Sequence, residues 1–72
     1  MRLRELRVKK LLTAGQLAEK SGVSGAAIFK LERGEHSPSL ATIKKLSEAL
    51  GVNPEEVEEF KAAIDKAAKR GS

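Results

Sequence analysis

The chain contains no cysteine, tryptophan or tyrosine, and it has one histidine and two phenylalanines among its 72 residues. Without cysteine, no disulfide, thiolate metal site or thiol nucleophile can form, so stability must come from packing. No apolar run approaches the roughly 18 residues of a membrane span, and no signal-peptide stretch follows Arg2 and Arg4. These absences predict one small, soluble, cytoplasmic domain without membrane contact.

Few side chains are available for chemistry. The single histidine, His36, has no cysteine beside it for a zinc site and no evident base or nucleophile partner, and no glycine-rich phosphate loop follows a strand. The glutamates within residues 55–59 are explained by helix-dipole compensation and solubility rather than by a divalent cation. We therefore expect no enzyme activity, no metal, no cofactor and no small-molecule ligand.

Positive charge is concentrated in the first half of the chain. Residues 1–34 contain eight Lys and Arg against three Glu, a net charge of +5, whereas residues 35–72 contain six against seven acidic residues, a net charge of −1. A lopsided basic surface attracts polyanions such as nucleic acid. A solubilising face is the alternative, and charge alone favours it.

Apolar spacing and capping signals predict three helices in the first half. The first is predicted over residues 1–12, from apolar residues that recur at spacings near three and four: Leu3, Leu6, Val8 and Leu11 or Leu12. Thr13, with Gln16 three residues later, is a capping box that opens the second. Ser24 is a good N-cap for a third helix over about residues 25–33.

Two further helices are predicted in the second half. Ser39 caps the fourth, whose apolar stripe is Leu40, Ile43, Leu46, Ala49 and Leu50. Asn53 as N-cap and Pro54 as first helical residue open a fifth helix that reaches roughly Lys69. Its buried face is predicted to hold Val57, Phe60, Ile64 and Ala67 or Ala68.

These five helices, with no alternating run long enough for a strand, predict an all-α fold class. Residues 1–70 are expected to form one domain. The last two residues, Gly71 and Ser72, are interpreted as a disordered tail or a cloning scar.

The segment from Ala14 to Arg33 has the pattern of two helices crossing at a tight turn, with Gly22 in the turn. From Leu3 to about Val57 the sequence resembles the helix-turn-helix family typified by the Cro and phage repressor proteins. The matching stretches are Leu3 to Arg7, QLAEKSGVS from Gln16, LERG from Leu31, PSL from Pro38 and LSEALGVNPEEV from Leu46. The resemblance implies a five-helix, lambda-repressor-like domain that binds double-stranded DNA through a helix-turn-helix at residues 13–33.

The face of the third helix opposite the core is expected to meet DNA. If Ile28 and Leu31 are buried, a rotation of about 100° per residue puts four residues on the opposite side, with Gly25 at its edge: Ala26, Phe29, Lys30 and Arg33. The resemblance implies base contacts from five residues: Gly25, Ala26, Ala27, Phe29 and Lys30. Family members more often have Gln, Arg, Ser or Thr there, so Lys30 is left as the only long polar reader.

Two interpretations of this face stay open. In the first, the alanines and Phe29 contact thymine methyl groups while Lys30 donates to guanine, which predicts a site mixing thymines with at least one guanine. In the second, Phe29 and the alanines bind a protein, on a fold retained without DNA function. The missing polar readers and the terminal Gly and Ser also suggest the hypothesis of a redesigned sequence.

The basic residues around the third helix favour the DNA interpretation, because phosphate contacts come from groups that flank the reading helix. The candidates, each of which could equally be a solvated surface group, are Lys9, Lys10, Thr13, Ala14, Gly15, Ser24, Arg33, His36, Ser37 and Lys44. The resemblance implies a structural ion pair between Arg7 and Glu32. The last helix is needed for the domain's own core, which favours a monomer over a homodimer.

Overall fold

A computed structural model of the chain describes residues 1–71. The helices over this range are α1 (Leu3–Lys9), α2 (Ala14–Ser21), α3 (Gly25–Glu32), α4 (Leu40–Leu50), a 3-10 turn (Pro54–Glu56) and α5 (Glu58–Gly71). No residue of this range lies in a strand, which confirms the all-α prediction. None of these helices is long and apolar enough to span a bilayer. Of the expected tail, Gly71 ends α5 and Ser72 lies outside the described residues.

The caps of α2 and α3 lie where the sequence predicts them. The Thr13 hydroxyl accepts the Gln16 backbone N–H at 3.1 Å, and the Gln16 side chain accepts the Thr13 N–H at 2.9 Å. The Ser24 hydroxyl accepts the backbone N–H of Ala27 at 3.1 Å. Gly22 ends α2 with φ at 76°, where an L side chain would be strained. Gly22 and Ser24 therefore fix the two ends of the turn between the helices, and the Thr13–Gln16 capping box fixes the start of α2.

The core is formed by one apolar cluster to which every α-helix contributes. Its largest fully buried side chains are Phe60, Leu3, Leu17, Ile28, Leu46 and Val57. Helix α2 packs against both α3 and α4, so it holds α3 to the rest of the domain. The apolar residues predicted for the buried face of α4 are buried or half-buried, with one exception. Leu40, the first residue of the helix, is exposed.

The first helix is shorter than predicted, and Val8, one of its expected core residues, is exposed. Helix α1 ends at Lys9, and Val8 points to solvent. Of the alternatives Leu11 and Leu12, Leu12 packs half-buried against the core and Leu11 is exposed. At about 100° per residue Val8 lies roughly 140° from Leu3, so it falls outside the buried face. Arg7, one helical turn after Leu3, is buried on that face instead.

Leu11 has a backbone conformation that leucine rarely adopts. Its φ is 60°, and its side chain is 88% exposed. The left-handed region costs an L residue about 1 to 2 kcal/mol, and the extra chain entropy of glycine offsets about 0.5 to 1 kcal/mol of that. Leu11→Gly should therefore raise the free energy of unfolding, measured in urea, by about 0.5 to 1 kcal/mol.

A helical position provides the control for this substitution. Val8→Gly, on the exposed side of α1, should lower the free energy of unfolding by about 0.3 to 0.5 kcal/mol, because glycine is less favourable than valine within a helix. Equal losses in the two variants would show that the Leu11 backbone is not strained.

The prediction of one continuous fifth helix from Pro54 was wrong. Asn53 and Pro54 open only the 3-10 turn, and Val57 is extended, with φ at −104° and ψ at 119°. This break buries the Val57 side chain completely. It also lets the Glu58 N–H donate to the Met1 carbonyl at 2.9 Å. The start of the chain is thereby tied to the start of α5.

Candidate nucleic-acid interface

A rigid three-residue turn, residues 22–24, joins α2 to α3. Val23 at its centre is buried in the core. The Ser21 hydroxyl donates to the Leu17 carbonyl at 2.7 Å and accepts the Val23 N–H at 3.1 Å. Because side-chain and backbone groups both hold the turn, the orientation of α3 relative to α2 is fixed.

Helix α3 has one buried face and one exposed face. Ile28 is fully buried and Leu31 nearly so, and they face the core. Ala26, Phe29 and Lys30 are exposed, while Gly25 and Ala27 are half-buried at the edge. The Phe29 side chain is 47% exposed, a large apolar area for a surface helix. The residues expected to read bases thus lie on or beside a single solvent-facing surface, here called the α3 face: Gly25, Ala26, Ala27, Phe29 and Lys30.

The α3 face offers hydrogen-bond donors but hardly any acceptors. Within Gly25–Glu32, all of which the structure describes, Glu32 has the only carboxylate, and both of its oxygens accept from Arg7. The ammonium group of Lys30 can only donate. The α3 face is therefore apolar with one cationic donor.

The end of α3 is attached to α1 by a buried ion pair. Arg7 Nε lies 2.6 Å from one Glu32 oxygen, Nη2 lies 3.1 Å from the other, and Nη1 donates to the Leu12 carbonyl at 2.9 Å. The two side chains are 10% and 5% exposed. The hydrogen bond to Glu32 raises the pKa of Arg7, and burial opposes that rise less strongly. Because this pKa lies far above neutral pH, Arg7 remains charged throughout the neutral range. The stability that the ion pair contributes would be lost only as the pH rises through that raised pKa.

The candidate phosphate-contacting residues fall into separate groups. Ser24, His36 and Ser37 line one shallow groove together with Lys30, between α3 and the start of α4. Lys9 and Lys10 line a different groove, in which Glu55 and Glu56 also lie. Lys44 lines a third, beside Leu40 and Ile64. The structure therefore brings only the first group next to the α3 face.

The other phosphate candidates differ in what they can offer. Thr13 and Gly15 are exposed at the N-terminus of α2, whereas the Ala14 side chain is buried, so Ala14 can contribute only its backbone N–H. Arg33 is exposed and paired with Glu35, so a phosphate there would compete with a carboxylate. The Thr13 and Ser24 hydroxyls accept capping hydrogen bonds, and each retains its proton as a donor.

Sequence reasoning missed two residues beside the α3 face. Ser39 and Thr42 line the groove that Lys30 and Ser24 also line. Ser39 donates to the Thr42 hydroxyl at 3.0 Å and accepts the Thr42 N–H. Their spacing of three, starting at an N-cap, is the signal that places both hydroxyls on one side of α4. They add polar groups to the edge of the α3 face.

Comparison with known proteins points to one family. A family model described as helix-turn-helix matches residues 3–57. A transcriptional repressor of Bacillus subtilis, RghR, is 53% identical over 51 residues, which is 69% of this chain and 38% of that protein. The immunity repressor protein of Bacillus phage phi105 is 37% identical over 51 residues, 71% of this chain and 35% of its own length.

An archaeal relative is similar over most of its length. An uncharacterized helix-turn-helix transcriptional regulator of Methanothermobacter thermautotrophicus is 43% identical over 49 residues, 68% of this chain and 71% of that protein. The chain spans little more than a third of the Bacillus relative, at 38%. No solved structure matches it significantly.

Proposed function

The chain belongs to the helix-turn-helix family of DNA-binding transcription regulators typified by Cro and the phage repressors, and we propose that it binds double-stranded DNA sequence-specifically with α3 in the major groove. The observation that supports this most is the rigidly held, solvent-facing α3 face with Lys30 upon it. The major groove admits an α-helix, and a fixed turn sets the angle at which that helix enters it.

The proposed contacts divide between bases and phosphates. Lys30 donates to guanine O6 and N7, while Ala26, Ala27 and Phe29 lie against thymine methyl groups, and Gly25 allows close approach. Ser24, His36 and Ser37 stand in the groove beside the α3 face. The full set of proposed phosphate contacts also includes groups further from that face: Lys9, Lys10, Thr13, Ala14, Gly15, Ser24, Arg33, His36, Ser37 and Lys44. The protein does no chemistry, and it acts in the cytoplasm on the nucleoid as part of a transcription regulator.

The domain is proposed to bind as a monomer on one half-site. Val57 and Phe60 are fully buried in its own core, and Ile64 is half-buried against it, so α5 keeps little apolar surface for a second copy. The apolar residues in place of polar readers also support the hypothesis of a redesigned recognition helix, for which no natural operator need exist.

Two lysine substitutions separate base reading from phosphate contact. On the duplex that is selected from a random library, Lys30→Ala should weaken the binding free energy by about 1 to 3 kcal/mol. It should also remove the preference for one base at a single position of the site. Lys10→Ala should weaken binding to preferred and scrambled duplexes alike, and it should reduce the salt slope by about 1. The measurement is Kd for both duplexes at several salt concentrations.

A third lysine serves as the control for this pair. Lys61 is exposed on α5, which packs against α4 and the 3-10 turn, so Lys61→Ala should leave Kd and salt slope nearly unchanged. Equal losses on every sequence from Lys30→Ala and Lys10→Ala would contradict the assignment of Lys30 to a base.

A protein-interaction module is the second candidate function. It is supported by the exposed Phe29 ring, which stands among alanines on the α3 face. An exposed apolar patch of this kind can be a site of protein association. Under this alternative, Phe29→Ser leaves the weak, non-specific DNA affinity of the chain unchanged while it abolishes a protein contact.

A further inference from the structure

The α3 face has a chemical character that narrows what it can read in the major groove. Adenine presents its N6 amino group there and cytosine its N4 amino group, and each needs an acceptor on the protein. The one carboxylate of α3 is committed to Arg7, and Lys30 only donates. An adenine or cytosine edge would therefore find no side-chain acceptor on α3.

What the α3 face does offer is apolar contact. The half-exposed Phe29 ring shares the exposed side of α3 with Ala26 and Lys30. Apart from its chain neighbours and the nearby backbone of α3 itself, no atom of the described residues lies within 4 Å of the place where a Cβ on Gly25 would stand. The surface beside Gly25 is therefore open to the close approach of a base edge.

The apolar group that a pyrimidine presents in the major groove is a methyl on C5. Thymine has it always, and 5-methylcytosine has it at the same position. Resting on the proposed function, we infer that the α3 face reads the C5-methyl group itself, whether it belongs to thymine or to 5-methylcytosine. DNA binding then responds to cytosine methylation, because the apolar side chains of α3, which carry no free acceptor, recognise the methyl and not the polar edge beside it.

The expected size of the effect follows from burial of one carbon. Removing a buried methyl-sized group from an apolar contact costs about 0.8 kcal/mol, which is about a fourfold change in Kd. Two methyl groups against Phe29 and the alanines should together give a change of about fifteenfold. Effects of this size are readily measured by titration.

Modified duplexes test the inference without changing the protein. Each thymine of the selected duplex is replaced in turn by uracil, which removes only the methyl. At the same positions, a 5-methylcytosine–guanine pair is compared with a cytosine–guanine pair. At one or more positions both ratios of Kd should be about four, with the methylated duplex bound more tightly.

Two protein variants locate the effect. Phe29→Ala should bring both Kd ratios close to one. Val8 is also apolar and exposed but lies on α1, so Val8→Ala should leave both ratios at about four. Urea unfolding of Phe29→Ala checks that the variant is folded. Double-mutant cycles between Phe29 and the methyl group then give the coupling directly.

The outcomes distinguish this inference from the proposed function. Ratios of one at every position, with the selected duplex still preferred over a scrambled one, overturn methyl reading and leave sequence-specific binding standing. A thymine effect without a 5-methylcytosine effect overturns the response to methylation. Persistence of both ratios in Phe29→Ala removes Phe29 from the reading surface. Absence of any preferred duplex overturns both proposals.

Discussion

Glu32→Ala should lower the free energy of unfolding by about 3 to 5 kcal/mol, because it leaves the buried Arg7 guanidinium without its carboxylate. The free energy of unfolding of a 72-residue domain is about 4 to 11 kcal/mol in all, so a large share of its stability would be lost. The pair attaches α3 to α1, and α3 is the helix proposed to read DNA. Urea denaturation followed by circular dichroism measures the change.

Two controls identify burial as the cause. Glu35→Ala removes the partner of the exposed Arg33 and should cost less than about 1 kcal/mol, as exposed pairs do. Replacing both buried partners by apolar residues, Arg7→Met with Glu32→Leu, should lose far less than Glu32→Ala, because no charge stays buried alone. If Glu32→Ala and Glu35→Ala cost the same, the buried pair does not stabilise the end of α3.

Phe60→Ala should lower the free energy of unfolding by a similar amount, about 3 to 5 kcal/mol. Phe60 is the largest fully buried side chain, and it belongs to the cluster that α1, α2 and α4 also line. Its removal takes apolar area from the core and leaves a cavity that close-packed neighbours fill only in part. The same denaturation measurement applies.

Neighbouring substitutions test whether the loss comes from the cavity. Phe60→Leu keeps most of the apolar volume, so it should lose less than half as much free energy of unfolding as Phe60→Ala. Lys61→Ala, one residue along and exposed, should stay within about 0.5 kcal/mol of the unsubstituted chain. A small effect of Phe60→Ala would mean that α5 is not part of the core, and the argument for a monomer would then fail.

Local signals predicted the helix-turn-helix well. A capping hydroxyl acts on the backbone within three residues, so Thr13 and Ser24 mark the starts of α2 and α3 whatever the rest of the chain does. The spacing of Ile28 and Leu31 likewise predicts which side of α3 is buried. These local effects were enough to predict that Ala26, Phe29 and Lys30 are exposed on α3, whereas the family resemblance added Ala27 to the α3 face.

Predictions failed where distant parts of the chain compete with local preference. Arg7 is buried because Glu32, 25 residues away, neutralises it, and apolar spacing gives no sign of that partner. Val57 interrupts the predicted fifth helix because its side chain is buried in the core and the N–H of Glu58 donates to the Met1 carbonyl. Leu11 adopts a positive φ that its residue type disfavours, so local preference gave no sign of this backbone conformation.

The grouping of site residues also depends on tertiary structure. The sequence suggested Lys10 and Ser37 as equivalent phosphate candidates, yet the structure places them in different grooves, one beside Glu55 and the other beside Lys30. Residue type alone predicts which groups can bind a phosphate. The packing of α4 against α2 decides which of them stand next to the α3 face.

Selection from a random duplex library at near-physiological salt tests the central claim, DNA reading by α3, most directly. The account predicts enrichment of a short motif that contains thymines and at least one guanine, bound about a thousandfold more tightly than a scrambled duplex. A motif without dyad symmetry would agree with a monomer. Weak, salt-sensitive binding with no enriched motif would contradict the account, and it would favour the α3 face as a protein-binding surface.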